Sequence, residues 1–255
     1  PYPSSLRIVN WIKWFLLDLN SNNNINQMWL DSLVIQTRFL SQNLEYHLLG
    51  NHLFANAKAL VFAGLFFKEE EADHWYQLGI SIINRELSEQ VLSDGGNFEL
   101  SPMYHAIFLE DLLDLANIHQ AYNRSLLDNL ENKIVQMLEW LKIMCHPDKE
   151  IAFFNDSALG IAPSFVELLS YSDRLGIVFK NNQVNRLTHL KESGYIRVED
   201  ENMVIIADVA DIGPDYIPGH GHADALSFEL SLFGKRVIVN SGISTYEIGI
   251  DRYKQ

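Results

Sequence analysis

The spacing of apolar residues changes once along this chain of 255 residues, and the change divides it into a helical and a β-rich part. Over residues 4–171 apolar side chains recur at helical spacing, as in Leu6, Val9 and Ile12. After Leu175 the chain carries short β-rich runs separated by turn-forming residues. The sequence therefore predicts a run of helices followed by strands, in an α+β multidomain protein.

Seven helices are predicted in the first part, with short polar or glycine-bearing joints such as Leu49-Gly50-Asn51 between them. The predicted spans are 4–19, 26–49, 52–67, 70–92, 102–120, 124–144 and 157–173. Because short joints make consecutive helices antiparallel neighbours, we expect a stack of helical hairpins.

Two antiparallel hairpins are predicted in the second part. The predicted strands are 195–198, 203–209, 225–233 and 236–239. In the second hairpin, Gly234 at the first loop position suits a type II′ turn. Since two hairpins cannot shelter a core alone, we expect that the sheet packs on the helices or that it continues beyond residue 255. The predicted domains are residues 1–180 and 190–255.

Charge and the length of apolar runs argue against two classes of partner. The chain has 33 acidic and 19 basic side chains, a net charge of −14. Nonspecific binding to nucleic acid needs a dense basic face, so no nucleic-acid partner is expected. The longest apolar runs fall far short of the ~20 residues that span a bilayer, so no membrane partner is expected either. Cys145 is the single cysteine, which leaves no intrachain disulfide.

Gly50-Asn51-His52 combines a glycine, a carboxamide and an imidazole between the second and third predicted helices. One interpretation is capping, in which Gly50 ends one helix and Asn51 begins the next. The other is anion binding, because the free N–H groups and the positive dipole end of a helix point the same way as these side chains. The two roles are compatible.

The loop Asp94-Gly95-Gly96 precedes a helix that carries Tyr104 and His105 in its first turn, after Pro102. The positive field at a helix start lowers the pKa of a phenol and favours neutral imidazole. A tyrosine tuned in this way can exchange a proton at neutral pH. The alternative is that both side chains are buried and satisfy backbone caps.

His220 and His222 are separated by one glycine just before a predicted strand. In an extended segment the two rings face the same side about 6.5 Å apart. They are then close enough to share a metal ion, or to divide into one catalytic and one metal-bound imidazole. A chance pair in a loop is the alternative.

Taken in order, these segments resemble the heparinase II/III-like polysaccharide lyases, relatives of heparinase II, heparinase III and the oligoalginate lyases. The resemblance covers most of the chain, and the order and spacing of the motifs carry it. The motifs are residues 50–52, 56–67, 94–105, 220–229 and the turn Asn240-Ser241-Gly242. It implies an incomplete α/α toroid of helical hairpins followed by the start of an antiparallel β-sandwich. Because the family's sandwich is longer than this tail, we expect the sheet to be truncated.

The resemblance implies a polysaccharide lyase that cleaves a uronic-acid-containing polysaccharide or oligosaccharide by β-elimination and leaves a C4=C5 unsaturated uronate end. Asn51 and His52 match the residues that engage the uronate carboxylate. Tyr104 and His220 match the proton-transfer pair, with His220 as base and Tyr104 serving the leaving oxygen, in roles that exchange with the epimer of the sugar. Further residues predicted to bind substrate are Glu99 and His105. Because Asn51, His52, Tyr104 and His220 all lie at the ends of predicted elements, we expect them to converge in one cleft between the toroid and the sheet.

The zinc site of the family is only partly matched. Members with zinc use a histidine matching His222, an acidic residue eighteen positions later and a further histidine beyond it. Asn240 stands at the acidic position of this chain, unless Asp224 supplies the missing acid. We therefore expect no required cofactor, and a zinc ion at His222 and Asn240 would be at most structural.

Two other functions stay open. A non-catalytic carbohydrate-binding or polymer-handling protein can share a fold with a lyase, although Tyr104 and His220 argue against it. A glycoside hydrolase on an α/α toroid would need two opposed carboxylic acids, for which Glu99 and Asp224 are the candidates. The resemblance also implies a periplasmic or extracellular location.

Overall fold

The computed structural model describes residues 1–19, 26–125, 127–180, 184–216, 219–221, 223–243 and 249–250. These residues form seven α-helices followed by a five-stranded sheet. The helices are α1 (Tyr2–Leu19), α2 (Gln27–Gln42), α3 (Gly50–Phe66), α4 (Glu70–Gln90), α5 (Pro102–Ala121), α6 (Leu130–Ile143) and α7 (Phe165–Arg174). The strands are β1 (Leu187–Leu190), β2 (Tyr195–Glu199), β3 (Met203–Asp208), β4 (Phe228–Leu232) and β5 (Lys235–Ile238). None of the described helices is long and apolar enough to cross a bilayer.

Three predicted helix boundaries are wrong. Helix α2 ends at Gln42 rather than at 49, α6 begins at Leu130 rather than at 124, and α7 begins at Phe165 rather than at 157. In α7 the cause is a capping box: the Ser164 hydroxyl accepts from the Glu167 N–H, and the Glu167 carboxylate accepts from the Ser164 N–H. This pair satisfies two N–H groups that have no partner within the helix, and so fixes its first residue.

The sheet is an antiparallel meander in the order β1-β2-β3-β4-β5. Strand β1 is absent from the predicted strands because only Leu190 of its four residues is buried, which leaves no alternating pattern to detect. The turn between β4 and β5 contains Phe233 and Gly234, with φ values of 50° and 77°. Positive φ at both central residues makes this a type I′ turn, so the predicted type II′ turn is wrong.

The described residues fall into two compact units, residues 1–88 with 114–127 and residues 89–113 with 128–255. In the first unit α3 is central, because 14 of its 17 residues are buried. A helix that is apolar on all sides needs partners on all sides. A Cβ atom at Gly64 would lie 2.6 Å from the backbone nitrogen of Tyr76, so the approach of α4 to α3 requires glycine there. The predicted domain limits of 1–180 and 190–255 stay a prediction.

In the second unit one face of the sheet packs on α6. Trp140 of α6 is fully buried against Tyr195 of β2, with ring centroids 5.8 Å apart, and Ile206 of β3 joins the same cluster. The guanidinium of Arg197 on β2 donates to the carbonyl oxygen of Ile143 at 2.8 Å, which satisfies an acceptor at the end of α6. The helix thus supplies the cover that a small sheet needs.

Asp208, at the end of β3, is a buried acid whose pKa is shifted. Burial raises the pKa of Asp208 to about 6, while the N–H of Ala210 opposes the rise and the charge of Asp224 adds to it. An unfolded aspartate titrates near 4, so between about pH 4 and 6 the folded protein keeps a proton that the unfolded chain has lost. The free energy of unfolding therefore falls as pH rises through that window, by up to about 3 kcal/mol.

We predict that Asp208→Asn removes this fall in stability, because the amide cannot ionise. The variant should be more stable than the wild type at pH 7 and nearly equal to it near pH 4. Urea unfolding of both proteins across this pH range measures the difference. Parallel pH profiles for the two proteins would contradict the prediction.

Candidate active site

Tyr104 and His220 are in direct ring contact. Tyr104 lies in the first turn of α5, which begins at Pro102, and His220 lies in the connection between β3 and β4. Their ring centroids are 3.9 Å apart and their planes are inclined by 37°. Tyr104 is half-buried and the side chain of His220 is 15% exposed. The two side chains predicted to transfer protons therefore lie together in the second unit.

Two buried carboxylates flank the imidazole of His220. Its Nδ1 lies 2.6 Å from Asp156 Oδ2, and its Nε2 lies 3.5 Å from Glu99 Oε2. Burial alone lowers the pKa of His220, but the hydrogen bonds and charges of Asp156 and Glu99 outweigh it and raise the pKa to about 9. His220 is therefore an imidazolium at neutral pH, and its Nδ1–H donates to Asp156.

The segments that carry these two carboxylates are hydrogen bonded to each other. The N–H of Met103 donates to the hydroxyl oxygen of Ser157 at 3.1 Å, and this hydroxyl lies 3.3 Å from that of Ser101. These contacts are buried, where an unmade hydrogen bond is costly. They fix Glu99 and Asp156 on the two sides of the imidazole.

His105, next to Tyr104 in sequence, is fully buried away from solvent. Its ring stacks on Trp140 with centroids 4.2 Å apart. Its Nε2–H donates to the carbonyl oxygen of Met137 at 2.9 Å, and its Nδ1 accepts from the N–H of Asn97 at 3.1 Å. Burial lowers the pKa of His105 to about 3, so the ring is neutral. The predicted substrate-binding role of His105 is wrong, because both ring nitrogens are engaged inside the protein.

Asn51 and His52 lie in the first turn of α3, in the first compact unit. The helix begins at Gly50, after Leu49 with a φ of 57°, and Leu49 makes no capping hydrogen bond through its side chain. Gly50 therefore starts this helix rather than ending the previous one, and Asn51 is inside the helix. The predicted capping roles of both residues are wrong.

His52 lies beside a buried acid. Its ring contacts Tyr2 with centroids 4.6 Å apart, and its Nδ1 lies 3.4 Å from Glu45 Oε1. Burial opposes the ionised form of Glu45, but hydrogen bonds from Asn56 and His52 lower its pKa overall. The His52 side chain is 38% exposed. That His52 and Asn51 share one cleft with the proton-transfer pair stays a prediction.

Asp224 and Asn240 lie in the second unit, and His222 lies outside the described residues. Asp224 is 3% exposed, and its Oδ2 accepts from the N–H of Asn155 at 2.5 Å. It is therefore unsuited to the acid–base role on substrate that a hydrolase would require. Within the part of the chain that the structure describes, no group of three or more His, Cys, Asp or Glu side chains could hold a metal ion. The absence of a required cofactor stays a prediction.

Asp156 is the residue that sequence reasoning missed. It lies in Asn155-Asp156-Ser157, at the start of the seventh helix predicted over residues 157–173, where such residues are typical of turns and caps. A carboxylate that orients a histidine far away in the sequence is not marked by any spacing of nearby residues. A buried charged imidazole requires a carboxylate beside it, but only the fold shows that His220 is buried and which acid lies next to it.

Two family models match the chain. One, described as Heparinase II/III N-terminus, matches residues 4–184, and the other, described as Heparinase II/III-like, C-terminal, matches residues 182–252. The first alone covers more than half of the sequence. The chain belongs to the heparinase II/III family, which confirms the resemblance.

Curated relatives of this chain are named heparin-sulfate lyase. The one from Bacteroides stercoris is 37% identical over 121 residues, which are 45% of this chain and 18% of the relative. The one from Pedobacter heparinus is 32% identical over 136 residues, which are 51% of this chain and 20% of the relative. The match thus spans about a fifth of the length of these relatives.

Solved structures share the fold. A crystal structure of heparinase III superposes with a TM-score of 0.80 at 22% identity, covering 96% of this chain and 43% of that one. Heparan sulfate lyase from Pedobacter heparinus gives a TM-score of 0.75 at 22% identity, covering all of this chain and 42% of that one. The predicted α/α toroid of helical hairpins followed by the start of an antiparallel β-sandwich is confirmed.

We predict that Asp156→Asn lowers the pKa of His220, because an amide cannot balance the imidazolium charge. An adjacent opposite charge shifts a pKa by roughly 1–3 units. Titration of the His220 ring protons by NMR measures the change. Asp148→Asn is the matched control, since Asp148 is 39% exposed and pairs with Arg236. A pKa of His220 that is unaffected by Asp156→Asn would exclude the assigned contact.

Proposed function

We propose that this protein is a polysaccharide lyase that cleaves a uronic-acid-containing polysaccharide by β-elimination. The observation that carries the proposal is the contact of Tyr104 with a His220 imidazolium held between two buried carboxylates. Membership of the heparinase II/III family supports it. Because the curated relatives are named heparin-sulfate lyase, we propose a glycosaminoglycan of the heparin and heparan sulfate type as the substrate.

The proposed reaction breaks the C5–H and C4–O4 bonds of a uronic acid. A base takes the C5 proton, and the electron pair of that bond first moves toward the carboxylate, which becomes an aci-carboxylate. The pair then forms the C4=C5 double bond while O4 leaves with its bonding pair and takes up a proton. The site therefore needs a base, an acid and a group that stabilises charge on the carboxylate.

We assign the two proton transfers to Tyr104 and His220. The pKa of His220 is about 9, so removing its proton at pH 7 costs about 3 kcal/mol. This cost favours His220 as proton donor and charge stabiliser. Tyr104 is then the base at C5, a role in which the adjacent imidazolium has to offset the roughly 4 kcal/mol that ionises an ordinary phenol at pH 7. The reverse assignment, with His220 as base, has to overcome the same cost.

We assign stabilisation of the uronate carboxylate to Asn51 and His52. Both side chains are partly exposed in the first turn of α3, where free N–H groups and the helix dipole favour an anion. A positioned donor of this kind contributes about 3–4 kcal/mol to a transition state. The assignment depends on the predicted cleft, and a rise in KM together with a fall in kcat for Asn51→Ala would support it.

The proposed reaction predicts a product with a C4=C5 double bond conjugated to its carboxylate, which absorbs ultraviolet light. We expect absorbance to rise when the protein is incubated with heparan sulfate, heparin or an unsulfated uronate polymer. New reducing ends without absorbance would instead indicate a hydrolase. Binding of polymer without any cleavage would indicate a non-catalytic carbohydrate-binding protein.

We predict that Tyr104→Phe lowers kcat by at least about 100-fold, the usual contribution of general acid–base catalysis, while KM and the melting temperature stay near those of the wild type. The reason is that the phenolic oxygen takes part in proton transfer and not in holding the bound substrate. Tyr171→Phe, which removes a hydroxyl from α7, is the matched control. A wild-type kcat for Tyr104→Phe would exclude Tyr104 from the proton transfer.

A further inference from the structure

Asn155, the residue before Asp156, is held by a hydrogen bond to the buried acid Asp224. The N–H of Asn155 donates to Asp224 Oδ2 at 2.5 Å, and its side-chain amide donates to the carbonyl oxygen of Leu100 at 2.9 Å. Asn155 is 4% exposed and has a φ of 54°, in the left-handed region that asparagine tolerates. Because both its backbone and its side chain are fixed, the direction in which the chain presents Asp156 is fixed as well.

Asp224 is in turn held by Asn240. The side-chain amide nitrogen of Asn240 donates to Asp224 Oδ2 at 3.4 Å, and its Oδ1 accepts from the N–H of Gly242 at 2.8 Å. The backbone N–H of Asn240 donates to Glu229 Oε1 at 2.8 Å, and the Glu229 side chain is fully buried. A chain of hydrogen bonds therefore runs from the sheet through Asn240 and Asp224 to Asn155.

An amide at position 240 is what this arrangement requires. A carboxylate there would face Asp224 with a second negative charge in a mostly buried place, which raises the energy of both groups. Both ends of the Asn240 amide are engaged in hydrogen bonds, so this residue does not fit the zinc ligand that the resemblance places at position 240.

We propose that Asp224 and Asn240 are positioning residues of the active site, which act through Asn155 to hold the Asp156 carboxylate against His220. The proposal rests on the lyase function proposed above. It gives the amide at position 240 a role in catalysis that needs no metal.

The test compares Asn240→Asp with the double variant Asp224→Asn/Asn240→Asp. The single variant places two carboxylates face to face, so we expect kcat to fall by about 10- to 100-fold with KM within about twofold, as for a small misplacement of a catalytic group. The double variant restores one amide and one carboxylate in exchanged positions. We expect it to recover most of the lost kcat.

A second measurement needs no substrate. A short hydrogen bond to a carboxylate shifts an amide proton downfield and slows its exchange with solvent, so the Asn155 amide reports its contact with Asp224 by NMR. We expect this resonance, and the His220 Nδ1–H resonance that reports the contact with Asp156, to move in the single variant and to return in the double variant. Asn202→Asp, the same change on an exposed turn, is the matched control.

Three results would overturn the proposal. The first is a wild-type kcat for Asn240→Asp with both resonances unmoved. The second is a parallel loss of melting temperature, KM and kcat that the double variant does not recover, which would indicate a purely structural role. The third is recovery of Asn240→Asp on adding zinc. If the wild type cleaves none of the polymers, the proposed function fails, and the NMR measurements still decide whether Asp224 and Asn240 position Asp156.

Discussion

The charge on His220 is the feature on which the rest of the candidate site depends. A buried imidazolium without a counter-ion costs several kcal/mol, so His220 stays charged only while Asp156 and Glu99 lie beside it at 2.6 and 3.5 Å. The dependence is mutual, because the fully buried carboxylate of Asp156 needs a cation as much as the imidazole needs an anion. The three side chains therefore form one electrostatic unit, and Tyr104 is placed against that unit rather than acting alone.

The packing of the sheet on α6 holds these side chains in position. Tyr195 of β2 is fully buried in the core with Trp140, and its hydroxyl donates to the carbonyl oxygen of Leu100 at 2.7 Å. The core thus reaches the residue next to Glu99. Since a close-packed interior deforms little, the position of the Glu99 carboxylate follows from the packing of the sheet rather than from local loop preferences. The site and the core of the second unit are therefore stabilised together.

The order of helices and strands could be predicted because apolar spacing survives in any amphipathic element, whereas local detail could not. Helix α2 ends at Gln42, and its C-cap Asn43 donates through its side chain to the Phe39 carbonyl. One asparagine among several polar residues does not mark a helix end in the sequence. Tyr104 and His105 are neighbours on a helix, and the sequence alone does not show which of them faces the site. Successive helical residues point about 100° apart, so only packing decides which side chain faces the site, and it is His105 that turns into the core. The role of Asp156 depends on its contact with His220, which folding of the chain creates and the sequence does not show.

The same charge unit limits how the site attracts the polyanion proposed as its substrate. One imidazolium with two carboxylates carries a net charge of −1, in a chain whose net charge is −14, so these groups offer no general attraction for a uronate carboxylate at a distance. Their effect is directional and short-range: the proton of His220 favours negative charge that develops at a point in contact with it. Groups arranged in this way stabilise a transition state more than a bound substrate, which is the condition for raising kcat rather than only lowering KM. Long-range attraction of the proposed polyanionic substrate then has to come from charges outside this unit, whereas a neutral amide such as Asn51, in the role proposed for it, contributes only short-range hydrogen bonds.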